Sequence, residues 1–413
     1  MKFVADLHIH SKYSRATSKD MEIPYLSNWA KLKGVDLLAS GDFTHPGWLG
    51  ELKEYLIPIE ETGLFSYNGV KFILSAEVSN IFTQNQRNYR VHNIILAPTF
   101  KVIEEVNQML SGYGNLASDG RPVLGGLSCE SLAKKLFEIS EDIMVIPAHI
   151  WTPWFSLFGS KSGFDSIKEA FGKYSGKITA LETGLSSDPP MNWRVSDLDK
   201  YSLVSNSDSH SLSRLGREAN VFDCELNYWE IKKVLEQKDR TKFLYTIEFF
   251  PEEGKYYYDG HRNCGVRFAP YETRENSGIC PACNRTLTKG VLHRVDELAD
   301  RDLEFVPEKA IGYKHFVSLE EIIAQARGSK ASSKKVKKEY LEIVGRYQSE
   351  FNVLNNVSYK ELIKTIPEAI VQGIQQVRDR NISISPGYDG KYGTIKIGNQ
   401  PAIREKRKQL VLF

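Results

Sequence analysis

Two histidines one residue apart, His8 and His10, close the apolar run that opens the chain, MKFVADLHIHSKYSRA. Lys2 to Ile9 reads as a short strand. Residues i and i+2 of a strand point to one face, so Asp6, His8 and His10 share a face and Leu7 and Ile9 the other. Neutral imidazole is the commonest metal ligand. The same signature recurs through the first 245 residues. Apolar runs end in VDLLASGDFTH (Asp42, His45), VKFILSAEVSN (Glu77), IMVIPAHIW (His149), ITALETG (Glu182) and YSLVSNSDSH (Asp208, His210). His92 instead opens its run, RVHNIILAP, after only a short polar stretch. That spacing predicts an antiparallel hairpin, which sets His92 beside Glu77.

Crowded carboxylates repel one another and are costly to bury. Divalent metals resolve both problems, and a mixed imidazole and carboxylate set suits zinc, manganese or iron. The pattern therefore predicts a multinuclear metal site. Two or three such ions acidify a water and hold the oxygens of a phosphate ester. The reaction class that follows is phosphoester hydrolysis without a serine or cysteine nucleophile. Arg214 and Arg217, in SLSRLGREAN after the Asp208–His210 pair, either hold phosphate or form surface salt bridges.

A second ligand pattern lies downstream. His261-x2-Cys264 and Cys280-x2-Cys283, with 15 residues between Cys264 and Cys280, fit one tetrahedral structural zinc. His293 competes with His261 for the fourth position. Cys129 and Cys224 stand alone and read as core residues.

Helix-like stretches lie between most of the strands, as in EIPYLSNWAKLKG, SLAKKLFEIS and FDSIKEAFGKY. Alternation of this kind predicts a parallel-rich α/β sheet or barrel, with its site at the C-terminal ends of the strands. The chain divides into a metal-bearing domain over 1–245, a zinc module over 246–310, a mostly helical domain over 311–400 and a basic tail over 401–413. The helical region holds a lysine run (Lys330, Lys334, Lys335, Lys337, Lys338) suited to a phosphate backbone or to a solvated loop. It ends in ISISPGYDGKYGTIKIG, a Gly-rich hairpin or loop. The 413 residues, 41% hydrophobic and 26% charged, suit a soluble protein of two or three domains. The five cysteines argue for a reducing cytoplasm. No run is long and apolar enough for a membrane, and the opening strand does not read as a secretory leader. A net charge of +2 does not by itself indicate a nucleic-acid partner.

In order, HIH, GDFTH, AEV, the isolated His92, PAHIW and SDSH resemble the PHP (polymerase and histidinol phosphatase) phosphoesterase domain. The resemblance covers roughly 1–245 and implies a distorted seven-stranded β/α barrel with up to three metals, zinc, manganese or magnesium. Its implied ligands are His8, His10, Asp42, Glu77, His92, His149, Asp208 and His210. Glu77, Asp208 and His210 also take the catalytic role. The chain lacks the family's usual ligand just after HxH and the Asp-His pair of its second motif. That leaves Asp42, His45 or both at the second position, with Glu182 as a replacement ligand. Adding GHRNC…CPAC, VLHRVDELADR and PGYDGKYG, nearly the whole chain resembles endonuclease Q. That resemblance implies a DNA repair nickase cutting 5′ of a damaged nucleotide, with uracil, hypoxanthine, xanthine and abasic sites as its lesion class. A small-molecule phosphatase and a non-catalytic PHP module of a repair complex are the alternatives. The zinc module and the retained ligands argue against them.

An enzyme that identifies a lesion within double-stranded DNA generally extrudes the base, and single-stranded DNA is a second form it would bind. The aromatics Trp151, Trp154, Phe155 and Phe158, and the group Asp188, Trp193 and Arg194, are placed for stacking or for reading a base edge, or for barrel packing. The chain closes on REKRKQLVLF. Gln409, Leu410, Leu412 and Phe413 resemble the QLxLF motif that binds the bacterial sliding clamp. Docking of this tail as a strand is the competing reading.

Overall fold

The computed structural model describes residues 1–398 as a mixed α/β chain, and the clamp-like segment Gln409–Phe413 lies outside the described residues. The first strands follow the apolar runs: β1 (Lys2–Asp6), β2 (Leu37–Ala39), a small hairpin of β3 (Ile57–Ile59) and β4 (Leu64–Tyr67), and the long β5 (Val70–Gln84) and β6 (Arg87–Ala97). β1, β2 and β5 pair in parallel. β5 and β6 form the antiparallel hairpin expected from the spacing, with Ser79 opposite His92. A strict strand–helix alternation is thus broken at the hairpin, because no helix separates its strands.

Next come β7 (Val123–Gly125), β8 (Met144–Pro147), β9 (Ala180–Glu182) and β10 (Ser202–Val204). β8 pairs antiparallel with β6, and β9 parallel with β10. A backbone bond from Thr179 to Val145 links the β9 segment to β8, and one from His10 to Ser209 links the segment after β10 to β1. β11 (Ala219–Asp223) and β12 (Phe243–Glu248) extend the sheet antiparallel from the other edge of β1.

Helices cover the sheet where their caps start and stop them. Ile23–Lys33 carries proline in its first turn and ends at Gly34, whose φ of 85° is readily reached only without a Cβ. Thr99 and Ser128 cap Phe100–Leu110 and Cys129–Ile139 through their side-chain oxygens. The buried faces of these helices join one apolar core running from Phe3 to Ile311. Cys129 and Cys224 are buried, as expected of core residues.

β13 (Asp259–His261) and β14 (Val266–Phe268) form a small hairpin in the cysteine-bearing region. β15 (Gly312–His315) returns to the large sheet, parallel to β12. Helices Leu319–Ala326, Lys334–Tyr347 and Glu368–Arg378 then build a second core. The sequence SYKELIKTIPEAIVQGIQQVRDR is helical on both sides of Pro367 but not through it: Tyr359–Leu362 ends before it. β16 (Ile382–Ser385) and β17 (Thr394–Ile397) close an antiparallel hairpin whose connection is PGYDGKYG. Gly387 donates to the Glu252 carbonyl and Gly393 to that of Glu253. A Cβ on Gly393 would lie 2.2 Å from the Glu252 oxygen, so glycine is what allows this approach.

The two cores meet at a buried ion pair. Lys33 Nζ lies 2.5 Å from Glu350 Oε2, and Glu350 also accepts from Tyr340 Oη and the Leu319 amide, both at 2.9 Å. A buried carboxylate stripped of its cation is costly. Lys33→Met should therefore destabilise the protein by roughly 3–5 kcal/mol in denaturant melts, and adding Glu350→Gln should recover much of that. A loss below about 1 kcal/mol, the scale of an exposed pair, would refute this role.

Candidate metal centre

The strand ends converge, with His8 and His10 just past β1, which stops at Asp6 and not at Ile9. His8, His10, Glu77 and Asp208 offer ligand atoms within 4.8 Å of one another, and so do Glu77, His92 and His149. Glu77 belongs to both groups. Its Oε2 lies 3.2 Å from His10 Nε2, while its Oε1 lies 2.8 Å from His92 Nδ1 and 3.0 Å from His149 Nε2. His10 Nε2 is also 3.1 Å from Asp208 Oδ1.

This donor set fits divalent cations. His8 Nε2, His10 Nε2 and Asp208 Oδ1 are buried with no hydrogen-bond partner, and all three belong to the first group. Orphaned buried polar atoms are rare and need an explanation, and a cation between them supplies one. The electrostatics agree. Burial opposes ionisation of Glu77, yet His92, Arg121 and His8 hold it well below the ordinary carboxylate range. Asp208 is depressed likewise, burial being overcome by His10 and His8. Burial also opposes the charge on His8, and the fields of Glu182 and Glu77 overcome it, holding the ring well above its usual value. A field that retains a proton on a buried imidazole will also retain a metal cation.

Behind these groups stand residues that aim them. Asp42 and Glu182, expected as ligands, face the rear nitrogens of the rings and belong to neither group. Asp42 Oδ1 is 3.0 Å from His10 Nδ1, and its Oδ2 accepts from the Ser11 amide and hydroxyl and from Ser14. Glu182 Oε1 is 3.0 Å from His8 Nδ1 and accepts from Asn206, while its Oε2 accepts from the His149 amide. A carboxylate on the second imidazole nitrogen fixes the tautomer and leaves the other nitrogen free to ligate. The β-strand period places such residues on the right face but does not distinguish front from rear.

His45 also departs from the ligand expectation. It occupies the position before the helix Pro46–Tyr55 without a side-chain capping bond and stacks on Tyr13 at 4.1 Å, outside both groups. His210 lies beside the first group, its ring 4.4 Å from that of His10, with Nδ1 on the Asp208 carbonyl at 2.9 Å. It is not one of the clustered ligands. Arg121 was not legible in the sequence: no motif marks it, yet its Nη1 donates to Glu77 Oε2 at 3.0 Å. Gly120 beside it has no room for a side chain, because a Cβ there would lie 2.3 Å from Asp42 Oδ2.

Most of the expected lesion-reading residues are buried or engaged by neighbouring side chains and backbone. Trp151 is fully buried and donates to Asn192 Oδ1 at 2.7 Å. Trp193 is buried, and Arg194 pairs with Asp296 at 2.6 Å. Asp188 caps the helix Pro189–Trp193 and pairs with His315 at 3.2 Å. Arg214 donates to Glu321, and Arg217 to the Ser207 carbonyl beneath Asp208. Trp154 alone of that set is an exposed aromatic, at 40%.

In the cysteine region His261, Cys264, Cys280 and Cys283 converge within 4.8 Å, with His261 Nδ1 3.2 Å from Cys283 Sγ. His293, the competing fourth ligand, is engaged at 2.5 Å by Asp259. Three thiols and an imidazole form an accepted tetrahedral zinc set.

Comparison with known proteins adds to this geometry. A family described as the MJ0043 C-terminal domain matches residues 318–381. The chain is 33% identical over 258 residues to the protein MJ0043 of Methanocaldococcus jannaschii, a match of 60% of this chain and 32% of that one. It thus spans about a third of that relative's length. It is 35% identical to the lesion-specific endonuclease PfuEndoQ from Pyrococcus furiosus, with a TM-score of 0.86 and coverage of 97% and 96% of the two chains. Its identity to Endonuclease Q crystallised with a 27-mer duplex carrying an abasic lesion at the active site is 34%, with a TM-score of 0.85 and coverage of 98% and 100%.

Because Glu77 is shared, Glu77→Gln should lower metal at both groups, whereas Asp208→Asn should weaken only the first. Elemental analysis after equilibration with manganese reads the difference, and equal losses in the two variants would refute the shared position. In the same assay Cys280→Ser with Cys283→Ser should release one zinc equivalent, and an unchanged zinc content would refute that site.

Proposed function

The chain belongs to the endonuclease Q family, and from that membership we propose that it is a metal-dependent DNA repair endonuclease. It cuts the phosphodiester on the 5′ side of a damaged nucleotide, with deaminated bases (uracil, hypoxanthine, xanthine) and abasic sites as substrates. The observation that carries this reading is the pair of buried ligand groups sharing Glu77. Divalent metals supply Lewis acidity toward a phosphate ester and acidify a water. The chain's own residues do the positioning. Asp42 and Glu182 aim His10 and His8. Arg121, held on Glu77, sets a guanidinium beside the place where phosphate charge must enter, and that geometry suits phosphate as well as carboxylate.

The lesion leaves the stack to reach a site so deeply set, which is why the substrate is a damaged nucleotide and not an intact pair. Around this chemistry we read β1, β2, β5, β6, β8, β9 and β10 as a distorted seven-stranded barrel within residues 1–245. The zinc module over 246–310 and the helical domain over 311–400 then serve to hold DNA. The closing QLVLF is read as a sliding-clamp ligand, and the enzyme as cytoplasmic. No helix among the described residues is long and apolar enough to cross a membrane.

A labelled duplex with one uracil, hypoxanthine or abasic site, incubated with manganese or magnesium, should be nicked 5′ of the lesion. Asp208→Ala should slow cutting by at least about 100-fold, since even the outer partners of metal ligands cost 10–100-fold. Equal cutting of lesion-free duplex, or full activity in the variant, would overturn the reading. Deleting residues 409–413 should abolish clamp binding in calorimetry while nicking of short duplexes persists. Absence of clamp binding by the full chain would remove that partner.

A further inference from the structure

The segment after His149 is tied to both ligand rings of the second group. Thr152 Oγ1 lies 3.2 Å from His149 Nδ1 and donates to the Trp154 carbonyl at 3.1 Å. The Phe155 ring lies tilted against that of His92, centroids 5.0 Å apart, and the Phe155 carbonyl accepts from the His92 amide. Between these two anchors Trp154 is 40% exposed, a costly place for indole in a rim held this firmly. Its ring meets that of Tyr256 edge-on at 5.2 Å. From Tyr256 the surface continues onto the PGYDGKYG connection: Gly390 donates to the Lys255 carbonyl, and the Arg262 amide donates to Asp389 at 2.7 Å. There Tyr392 is 66% exposed, and Lys255 Nζ sits over its ring at 4.8 Å.

Three stretches far apart in sequence thus bring the exposed rings of Trp154 and Tyr392, and the half-buried Tyr256, together with cations. Lys255, Arg262 and Lys391 are exposed and make no ion pair among the described residues. A fully paired duplex keeps its base faces covered, so exposed rings interleaved with cations suit unpaired nucleotides, whose bases stack while their phosphates are neutralised. We propose that Trp154, Tyr256 and Tyr392, with Lys255, Arg262 and Lys391, form a track for unpaired nucleotides next to the lesion, leading away from the His92–His149 side of the metal centre. The proposal rests on the DNA endonuclease reading and extends it to the strand around the cut. The close glycine contacts of the connection give it a purpose, because they hold the Tyr392 connection against the segment 252–255 beside Tyr256, whose ring Trp154 meets.

The test measures binding in the full chain carrying Asp208→Ala, so that no cutting occurs and zinc is kept. Fluorescence anisotropy compares an abasic duplex paired throughout with one having about three mismatched pairs beside the lesion. The unpaired form should bind at least about fivefold tighter, the scale of one base stacked on one ring. Tyr392→Ala should bring the ratio near one, and Tyr392→Phe should keep it. Lys255→Gln with Lys391→Gln should reduce the slope of log affinity against log salt by about 1.4, two single-strand phosphate contacts. A ratio within twofold in the parent, or an unchanged ratio in Tyr392→Ala, overturns the track. If Tyr392→Ala lowers the melting temperature, the lysine pair decides, and an unchanged slope overturns the proposal. A chain that shows the ratio but, with Asp208 intact, nicks no lesion duplex keeps the track and loses the endonuclease reading; nicking with a ratio near one does the reverse.

Discussion

A single buried carboxylate organises this molecule. Glu77 is almost completely inaccessible, yet it is held in its ionised form by His92, Arg121 and His8 against the cost of burial. A charge in that position must be surrounded on every side by partners of opposite sign or by ligands for a shared cation. Each neighbour arrives from a different element: His8 and His10 from the end of β1, His92 from the returning strand of the hairpin, His149 from the end of β8 and Arg121 from the loop before β7. The sheet is bent around this requirement. The β5–β6 hairpin breaks the parallel pattern where an antiparallel return is the short way to bring an imidazole opposite Glu77.

The convergence has a conformational cost. Asp42, His149 and Asp208 have φ angles of 46°, 30° and 45°, in the left-handed region that residues other than glycine rarely adopt. Such strain costs on the order of 1–3 kcal/mol per residue and persists only where the surroundings over-determine it. Here they do. The Asp42 carboxylate accepts from Ser11 and Ser14. The His149 amide is fixed by Glu182. The Ser207 amide, just before Asp208, is held by buried Asp6, whose carboxyl burial raises to about 6. Gly184 leaves room against His149, since a Cβ there would lie 2.5 Å from that of the histidine. Sharp turns at strand ends throw side chains inward instead of along the strand, and a ring of ligands needs that direction.

These same facts mark how far the sequence could be read. Period two in LHIH and the hairpin spacing before His92 are local signals, and both lead to the observed neighbours of Glu77. Front and rear of an imidazole are not local: Asp42 and Glu182 carry the ligand's chemistry but belong to neither ligand group, because Ser11, Ser14 and Asn206 reach them from other turns. Arg121 has no spacing to announce it and is placed by the packing of Gly120 against Asp42. The aromatics are ambiguous for a different reason. A tryptophan beside a histidine motif looks the same whether it is buried like Trp151 or exposed like Trp154, and only tertiary packing separates them.

The cysteine-bearing segment is tied to chain on both sides of it. Among residues 262–290, only Ala269, Pro270, Thr273, Cys280, Leu287 and Gly290 are buried, too little apolar surface to hold that segment by packing alone. The group His261, Cys264, Cys280 and Cys283 converges in this segment, and a metal bound there would supply the missing core. On one side the segment is tied to the PGYDGKYG connection, through the Tyr258 amide on the Gly387 carbonyl and the Arg262 amide on Asp389. On the other, Arg294 donates to the Phe158 and Phe164 carbonyls of the segment that follows His149. Both contacts use groups with little freedom, backbone amides on one side and a guanidinium reaching two separate carbonyls on the other. The exposed rings are therefore linked to the segment that follows His149 by these hydrogen bonds and by the close glycine contacts of the connection.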